Sequence, residues 1–312
     1  MRTPSITRRQ ALHLLTAAGA SALVACAARD RNAAGGHDTE AGLRDLERTH
    51  GGRLGVFALD TGSGKALAWR ADQRFALCST FKLLLAGMVL HMHQQGSLDG
   101  DSPIGFSAGD LVPHAPVIQA RLDAGIQAMS ALELARATQV TSDNVAANLL
   151  VRRLGGPRAV TAYWRDVFGD SVSRLDRWEP EMNRVGPGEE RDTTTPRAIA
   201  GTTARLLGGD LLAPRGRRQL EDWLVETGTG LKRLRAGLPP DWRAGDKTGT
   251  AIVDGLPSKY NDVAVAWPPQ RAPLVIACYY EADGHHPRIR PEDEAVHAKV
   301  ARLVAEHLLA ST

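Results

Sequence analysis

The residues with the clearest chemical potential are a serine and a lysine three positions apart, Ser79 and Lys82. Ser79 stands where a strand-rich segment gives way to an apolar helical pattern, which places it beside unpaired backbone N–H groups and the positive end of a helix dipole. Lys82 falls on the same helical face. A desolvated lysine can activate a serine nucleophile. The spacing is common, however, and also fits a helix-capping serine beside a solvated lysine.

Two further polar runs supply groups of matching chemistry. Lys247-Thr248-Gly249-Thr250 lies on a predicted strand, in a chain where lysine is rare. A substrate could lie along the edge of that strand while the ammonium holds its carboxylate. Ser142-Asp143-Asn144 opens a predicted helix and offers a hydroxyl and an amide. By itself this second run is an ordinary polar helix start.

Taken in chain order, Ser79-x-x-Lys82, Ser142-Asp143-Asn144 and Lys247-Thr248-Gly249 form the motif set of class A β-lactamases and penicillin-binding proteins. From about residue 40 to its end, the chain resembles a class A serine β-lactamase. The resemblance extends to Cys78 before the serine, to Asn148 in the second motif's helix, and to Arg235–Pro239 ahead of the third motif.

The segment from Arg174 to Asp192 has no helical or strand periodicity, and a structureless stretch of that length inside a domain is usually functional. It matches the omega loop of the family. The resemblance implies that Arg174 and Asp192 close the loop by an ion pair. It also implies that Glu179 and Asn183 hold a water against the acyl-enzyme ester.

The resemblance further implies a mechanism. Ser79 attacks the lactam carbonyl, and the backbone N–H groups of Ser79 and Thr250 form the oxyanion hole. Either Lys82, or Glu179 acting through water, removes the serine proton. Ser142 passes a proton to the leaving nitrogen, and Glu179 is the general base for hydrolysis of the ester.

The remaining expected roles concern substrate binding. Asn144 binds the amide of the acyl side chain, while Lys247, with Thr248, Gly249 and Thr250, holds the substrate carboxylate. No cofactor and no metal is expected. The expected partners are a small β-lactam and a hydrolytic water.

The chain departs from the family pattern at three places. An arginine that family members often carry after the third motif is missing near Asn261, so Arg233 is expected to bind the carboxylate instead. His114 stands where an aromatic gate residue is usual. Cys78 would be disulfide-bonded in carbapenem-hydrolysing members, but the partner position corresponds to Ala251, which weakens the case for that activity.

Strand patterns lie at both ends of the chain and helical patterns between them, so distant segments must complete one sheet. We expect an α/β (α+β) fold: an antiparallel five-stranded sheet flanked by helices, with an all-helical subdomain inserted over about residues 80–225. The predicted strands include Arg53–Asp60, Ala66–Trp69, Asn261–Trp267 and Pro273–Tyr280. The catalytic domain is expected to span residues 39–312.

The start of the chain has the composition of an export signal. Arg8 and Arg9 precede a short apolar stretch that ends in small residues, which resembles a twin-arginine signal over residues 1–28. Cys26 lies either in a lipobox or in a discarded A-x-A cleavage site. Residues 29–38 have the composition of a linker. We therefore expect an exported, periplasmic protein, associated with a membrane only if Cys26 is lipidated.

Composition excludes several other classes. The 312 residues are 43% hydrophobic and 23% charged, as in globular proteins. The formal charge of +3 is accounted for by three arginines in the leader, which argues against a nucleic-acid partner. His91 and His93 lack the third ligand that a metallo-hydrolase needs.

We expect a monomer. The nearer alternatives are a penicillin-binding D,D-peptidase and a non-turnover β-lactam sensor, which Glu179 argues against.

Overall fold

A computed structural model describes residues 39–309 of the chain. Its centre is a five-stranded antiparallel sheet with the strand order β2-β1-β9-β8-β7. This confirms the sheet expected from the sequence. The five strands are β1 (Arg53–Asp60), β2 (Ala66–Trp69), β7 (Arg243–Ala251), β8 (Lys259–Trp267) and β9 (Leu274–Glu281).

Pairing between the two ends of the chain makes this sheet. Strand β1 pairs with β9 over its whole length, with Val56 opposite Cys278, so the first strand is completed by the last. Strands β8 and β9 are almost entirely buried, because helices cover both faces of the sheet. Strand β7 lies at an edge, which leaves one side of its backbone free to meet a ligand.

The helices fall into two groups. Helices α1 (39–50) and α9 (Pro291–Leu309) lie at the ends of the described chain, and seven others lie between β2 and β7. The same stretch of the chain contains two short antiparallel strand pairs. They are β3 (Phe75–Ala76) with β6 (Thr193–Thr194) and β4 (Pro103–Gly105) with β5 (Ala128–Ser130). The seven are α2 (Phe81–Gln94), α3 (Pro116–Asp123), α4 (Ala131–Val140), α5 (Asn144–Arg153), α6 (Pro157–Asp166), α7 (Pro196–Gly208) and α8 (Pro214–Glu226).

Helix α2 is the centre of the helical part. Its residues are buried without interruption from Phe81 to Leu90, as expected of a helix that is apolar on all sides. It contributes to a large apolar core between the helices and one face of the sheet. A second core lies between the other face of the sheet and α9. Residues at the start of α2 are therefore held in place by the packing of the core around this helix.

Local sequence signals set several helix boundaries. Ser130 caps α4 and exchanges hydrogen bonds with Glu133, which is the capping box expected there. Thr195 caps α7 ahead of Pro196, also as expected. Ser79 differs slightly from expectation: it lies in a 3-10 turn, Cys78–Thr80, immediately before α2.

The export signal and linker predicted for the start of the chain lie outside the described residues. Within residues 39–309, none of the helices is both long enough and apolar enough to cross a lipid bilayer.

Candidate active site

A cleft of about 340 Å³ opens between the edge strand β7 and the helical part of the molecule. It brings together side chains that are far apart in the sequence and that motif analysis selected. Lys82 and Lys247 are fully buried next to it. The lining residues are Ser79, His114, Ser142, Asn144, Glu179, Asn183, Thr229, Arg233, Thr248, Thr250, Ile289 and Glu294.

Ser79 and Lys82 lie in contact at the start of α2. The Lys82 Nζ donates to the Ser79 Oγ at 3.1 Å and lies 3.1 Å from the Glu179 Oε1. The same ammonium donates to the Ser142 carbonyl at 2.8 Å and to the Asn144 Oδ1 at 2.5 Å. Burial lowers the pKa of Lys82, while the Glu179 carboxylate acts in the opposite direction. The site therefore holds an ammonium that can give up its proton more readily than an exposed lysine.

Glu179 is held from three sides. Its backbone N–H donates to the Asn148 Oδ1 at 3.0 Å, and its carbonyl accepts from the Asn148 Nδ2 at 2.9 Å. The Asn183 Nδ2 donates to the Glu179 Oε2 at 2.6 Å, and the Ser79 Oγ lies 3.4 Å from Oε1. The peptide bond between Glu179 and Pro180 is cis. The hydrogen bonds with Asn148 and Asn183 fix the carboxylate beside the serine.

The second and third motifs meet on the other side of Ser79. Asp143 caps α5 through its Oδ1, and Ser142 before it has a positive φ of 60°. The Ser142 Oγ accepts from the Lys247 Nζ at 3.1 Å and lies 3.4 Å from the Lys82 Nζ. This hydroxyl therefore lies between two buried ammonium groups.

Burial, and then the charge of Lys82, lower the pKa of Lys247 to about 7. Asp246 and Glu179 act in the opposite direction. Asp246 itself is buried and forms an ion pair with Arg235, and burial raises the pKa of its carboxyl to about 6. The charge on Lys247 is thus sensitive to pH near neutrality.

Arg233 is nearly fully buried, and its contacts aim it at Thr250. Its Nη2 donates to the Thr250 Oγ1 at 2.6 Å, and its Nη1 donates to the Gly249 carbonyl at 2.9 Å. Glu294 forms an ion pair with it at 3.2 Å. A buried cation therefore contacts the Thr250 hydroxyl on β7. The expected binding of the substrate carboxylate by Arg233 stays a prediction.

Gly249 allows β7 to approach the nucleophile. A side chain there would meet the Cys78 Cβ at 3.0 Å and the Ser79 nitrogen at 3.1 Å. A Cβ at this position would push the strand edge away from the turn that carries Ser79, so glycine gives the closest approach. This approach brings the backbone at Ser79 close to the edge that carries Thr250.

One predicted contact is wrong. Arg174 does not pair with Asp192; it forms an ion pair with Asp176 at 2.7 Å. Arg177 instead donates from Nε to the Asp192 Oδ2 at 2.5 Å. The other oxygen of Asp192 accepts from the backbone N–H groups of Asp176 and Arg177, which places the Arg177 side chain nearer to the carboxylate. The omega loop, residues 174–192, is closed by Arg177.

His114 lies at the rim of the cleft, where its Nε2 is 3.0 Å from the Thr141 carbonyl. Cys78 and Cys278 are buried and free within the described residues. Burial raises the pKa of Cys78 to about 12, so this thiol is not a nucleophile at neutral pH. Cys78 and Ala251 belong to one small buried cluster.

Sequence reasoning gave no site role to several residues that the structure places here. Asn148 lies one helical turn after Asn144 and so on the same face of α5, which was a usable signal. Thr229 shares a hydrogen bond of 2.7 Å with Thr248, and Glu294 pairs with Arg233. These last two come from distant segments and left no local pattern.

Between residues 39 and 309, no group of three His, Cys, Asp or Glu side chains could hold a metal ion.

Comparisons with known proteins agree with this geometry. The chain matches the model of the β-lactamase enzyme family over residues 38–308 and belongs to that family. It is 50% identical over 233 residues to β-lactamase AST-1 of Nocardia asteroides, covering 75% of this chain and 73% of the relative. It is 46% identical over 263 residues to the carbapenem-hydrolysing β-lactamase KPC of Klebsiella oxytoca, covering 84% and 86%.

Solved structures define the class. An ancestral class A β-lactamase superposes with a TM-score of 0.80 at 50% sequence identity, covering 86% of this chain and 99% of the other. The class is therefore A, whose serine-dependent activity is the hydrolysis of β-lactams. The resemblance inferred from the three motifs is confirmed, and the peptidase or sensor alternative is not favoured.

The corrected ion pair can be tested with two matched variants. Arg177→Gln should destabilise the protein by ~3 kcal/mol, because the fully buried Asp192 carboxylate would lose its charged partner. Arg174→Gln should cost less than about 1 kcal/mol, since Arg174 is 38% exposed. Urea unfolding measures both. Equal losses, or a larger loss for Arg174→Gln, would restore the pair first expected from the sequence.

The pKa of Lys247 predicts a pH dependence. Below about 7 the ammonium is charged and attracts an anionic substrate, and above that value it is increasingly neutral. We expect kcat/KM for a β-lactam carboxylate to fall as pH rises through this range, by roughly tenfold per pH unit at the alkaline limit. In Lys247→Arg, whose side chain stays charged, this fall should disappear. Its persistence in that variant would assign the ionisation to another group.

Proposed function

We propose that this enzyme hydrolyses penicillins and cephalosporins through an acyl-enzyme on Ser79, with Glu179 as the base that releases the product. The observation that carries the proposal is the position of the Glu179 carboxylate. It lies 3.4 Å from the Ser79 Oγ and is fixed by Asn148 and Asn183. A carboxylate in this place can direct water at an ester formed on Ser79.

Acylation begins with removal of the Ser79 proton. Two groups reach the hydroxyl: the Lys82 Nζ at 3.1 Å and the Glu179 Oε1 at 3.4 Å. Burial makes neutral Lys82 accessible, and the Lys82–Glu179 contact of 3.1 Å lets a proton pass between them. Both routes, Lys82 directly and Glu179 through water, leave the proton within this buried network.

Ring opening requires a proton on the lactam nitrogen. The Ser142 Oγ lies within 3.4 Å of the Lys82 Nζ and 3.1 Å of the Lys247 Nζ, so a proton taken from Ser79 can reach Ser142 through Lys82. The nitrogen that leaves the carbonyl takes the proton from Ser142. The C–N bond breaks as the ester bond to Ser79 forms.

Charge that develops on the carbonyl oxygen needs fixed donors. The backbone N–H groups of Ser79 and Thr250 are the proposed pair, and each such donor is typically worth about 3 kcal/mol. The substrate carboxylate would lie against Lys247, Thr248 and Thr250, with Arg233 behind the last of these. Asn144 would bind the side-chain amide, and His114 lines the same cleft.

Hydrolysis of the acyl-enzyme is the step that distinguishes a β-lactamase from a peptidase or a sensor. The Asn183 Oδ1 is buried and has no hydrogen-bond partner within the described residues, while its Nδ2 holds Glu179. An unpaired acceptor beside a carboxylate suits a hydrolytic water, which needs several polar partners. Glu179 takes a proton from that water as it attacks the ester.

Substrate range is bounded by one observation. The relative KPC carries carbapenem hydrolysis in its name. Cys78 here has Ala251 as its neighbour and no disulfide, so we restrict the proposal to penicillins and cephalosporins.

We also propose that residues 1–28 direct export to the periplasm, with residues 29–38 as a linker and residues 39–312 as one catalytic domain that acts as a monomer. The twin arginines and apolar stretch of the sequence support export. Lipidation at Cys26 would add a membrane anchor, whereas cleavage at the A-x-A site, which discards Cys26, would not.

The role of Glu179 can be tested by trapping the intermediate. Glu179→Gln should form an adduct on Ser79 that accumulates, because the amide cannot take a proton from water, and turnover should fall by at least roughly 10²-fold. Intact-mass spectrometry after mixing with a penicillin measures the adduct.

Glu181→Gln is the matched control, since Glu181 lies two positions away in the same loop and is exposed. It should turn over normally and show no adduct. Normal turnover by Glu179→Gln would mean that another group is the base. An adduct that also persists in the unaltered protein would instead favour the sensor or peptidase.

A further inference from the structure

A second cavity, of about 450 Å³, lies behind the omega loop and shares no lining residue with the active-site cleft. One wall is the returning limb of the loop, residues 185–190. The opposite wall comes from the ends of sheet strands: Arg53 begins β1, Lys259 begins β8 and Glu281 ends β9. The cavity therefore separates the loop that carries Glu179 from the sheet.

Lys259 is the unusual residue in this cavity. It is 2% exposed, and the one hydrogen bond of its ammonium is to the Pro257 carbonyl at 3.3 Å. An ammonium has three donors, and a buried charge normally has a counter-charge. No carboxylate forms an ion pair with Lys259 anywhere in residues 39–309.

Arg74 adds a second cation without an acidic partner. Its Nη1 donates to the Val172 carbonyl and to the Thr193 Oγ1, both at 3.0 Å, and it forms no ion pair within the described chain. It lines the same cavity as Lys259. Two cationic residues without an acidic partner within residues 39–309 thus line one cavity.

The carboxylates that line the cavity each have a cation other than Lys259 or Arg74 as their nearest ion-pair partner. Glu281 pairs with Arg53 at 2.8 Å. Glu189 pairs with Arg191, which lies outside the lining, at 2.7 Å, and this partner lowers the pKa of Glu189 to about 2. Glu190 lies 3.9 Å from Arg174. Lys259 and Arg74 are therefore the lining cations that form no ion pair of their own within the described residues.

We propose that this cavity binds a small oxyanion of the phosphate or sulfate type, with Lys259 and Arg74 as its charged ligands. The three donors of an ammonium and the planar donor set of a guanidinium are the groups that recognise such an anion. Neither residue belongs to the active-site motifs, and the site is independent of the proposed catalytic steps.

Binding there would have a mechanical consequence. Arg74 already contacts Thr193, next to the loop anchor Asp192, and residues 185–190 form the facing wall. An anion bound in the cavity would bridge the returning limb of the omega loop, residues 185–190, and the ends of β1 and β8. We therefore expect bound anion to stabilise the fold and to slow hydrogen exchange in residues 185–190.

The test uses inorganic phosphate as the probe. Thermal unfolding of the purified protein is measured in graded sodium phosphate against sodium chloride of equal ionic strength. Tm should rise and saturate with phosphate, and the exchange of residues 185–190 should slow in parallel. In Lys259→Met, which keeps the buried stem and removes the charge, the half-saturating concentration should rise by at least roughly tenfold.

Lys65→Met is the matched control, because Lys65 lies exposed in the turn between β1 and β2, away from the cavity. It should respond like the unaltered protein. The proposal is overturned if Tm shows no saturable rise with phosphate, or if Lys259→Met responds as strongly as Lys65→Met.

Should Lys259→Met not fold, crystals of the unaltered protein soaked in selenate decide the matter. An anomalous selenium peak within hydrogen-bond distance of the Lys259 Nζ supports the site. A peak in the active-site cleft alone, or no peak, overturns it.

Discussion

The buried ammonium of Lys82 is the constraint on which the rest of the active site depends. A fully buried lysine is tolerated when its charge is compensated and its donors are satisfied. Here the partners are Ser79, the Ser142 and Asn144 groups, and the Glu179 carboxylate. They come from the start of α2, the start of α5 and the omega loop, so one charge holds three separate segments in register.

The same arrangement explains why the site lies at the junction of the sheet and the helices. Helix α2 is buried on all sides, and its packing fixes the positions of Ser79 and Lys82 at its start. Gly249 lets the edge strand approach Ser79, and Lys247 on that strand contacts Ser142 across the cleft. Two buried ammonium groups then flank one hydroxyl. Burial, together with their mutual repulsion, lowers the pKa of Lys247 to about 7, so Lys247 releases its proton more readily than an exposed lysine does.

Much of this could be predicted from the sequence, because the motif residues lie close together along the chain or belong to regular elements. The spacing of Ser79 and Lys82 predicted their contact, and the capping pattern at Ser130 predicted the start of α4. Strand β1 was predicted with its observed limits, whereas β8 begins at Lys259, two residues earlier than expected. Propensity alone does not show how far a strand pairs beyond its apolar run.

What could not be predicted depends on irregular backbone and on distant contacts. Arg174 and Arg177 are both charged residues at the start of the omega loop. The backbone N–H groups of Asp176 and Arg177 donate to one oxygen of Asp192, and this contact places the Arg177 side chain at the other oxygen. Glu294 and Thr229 reach the site from remote segments. The isolation of Lys259 was equally invisible, because it follows from where every carboxylate in the neighbourhood finds its own partner.

Whether Glu179 directs water at the ester on Ser79 can be seen in an atomic-resolution structure of the unaltered enzyme acylated by a slowly hydrolysed β-lactam. We expect a water hydrogen-bonded to both Glu179 and Asn183 and about 3 Å from the ester carbonyl carbon. A Glu179 side chain turned away from the ester, with no water between them, would contradict it.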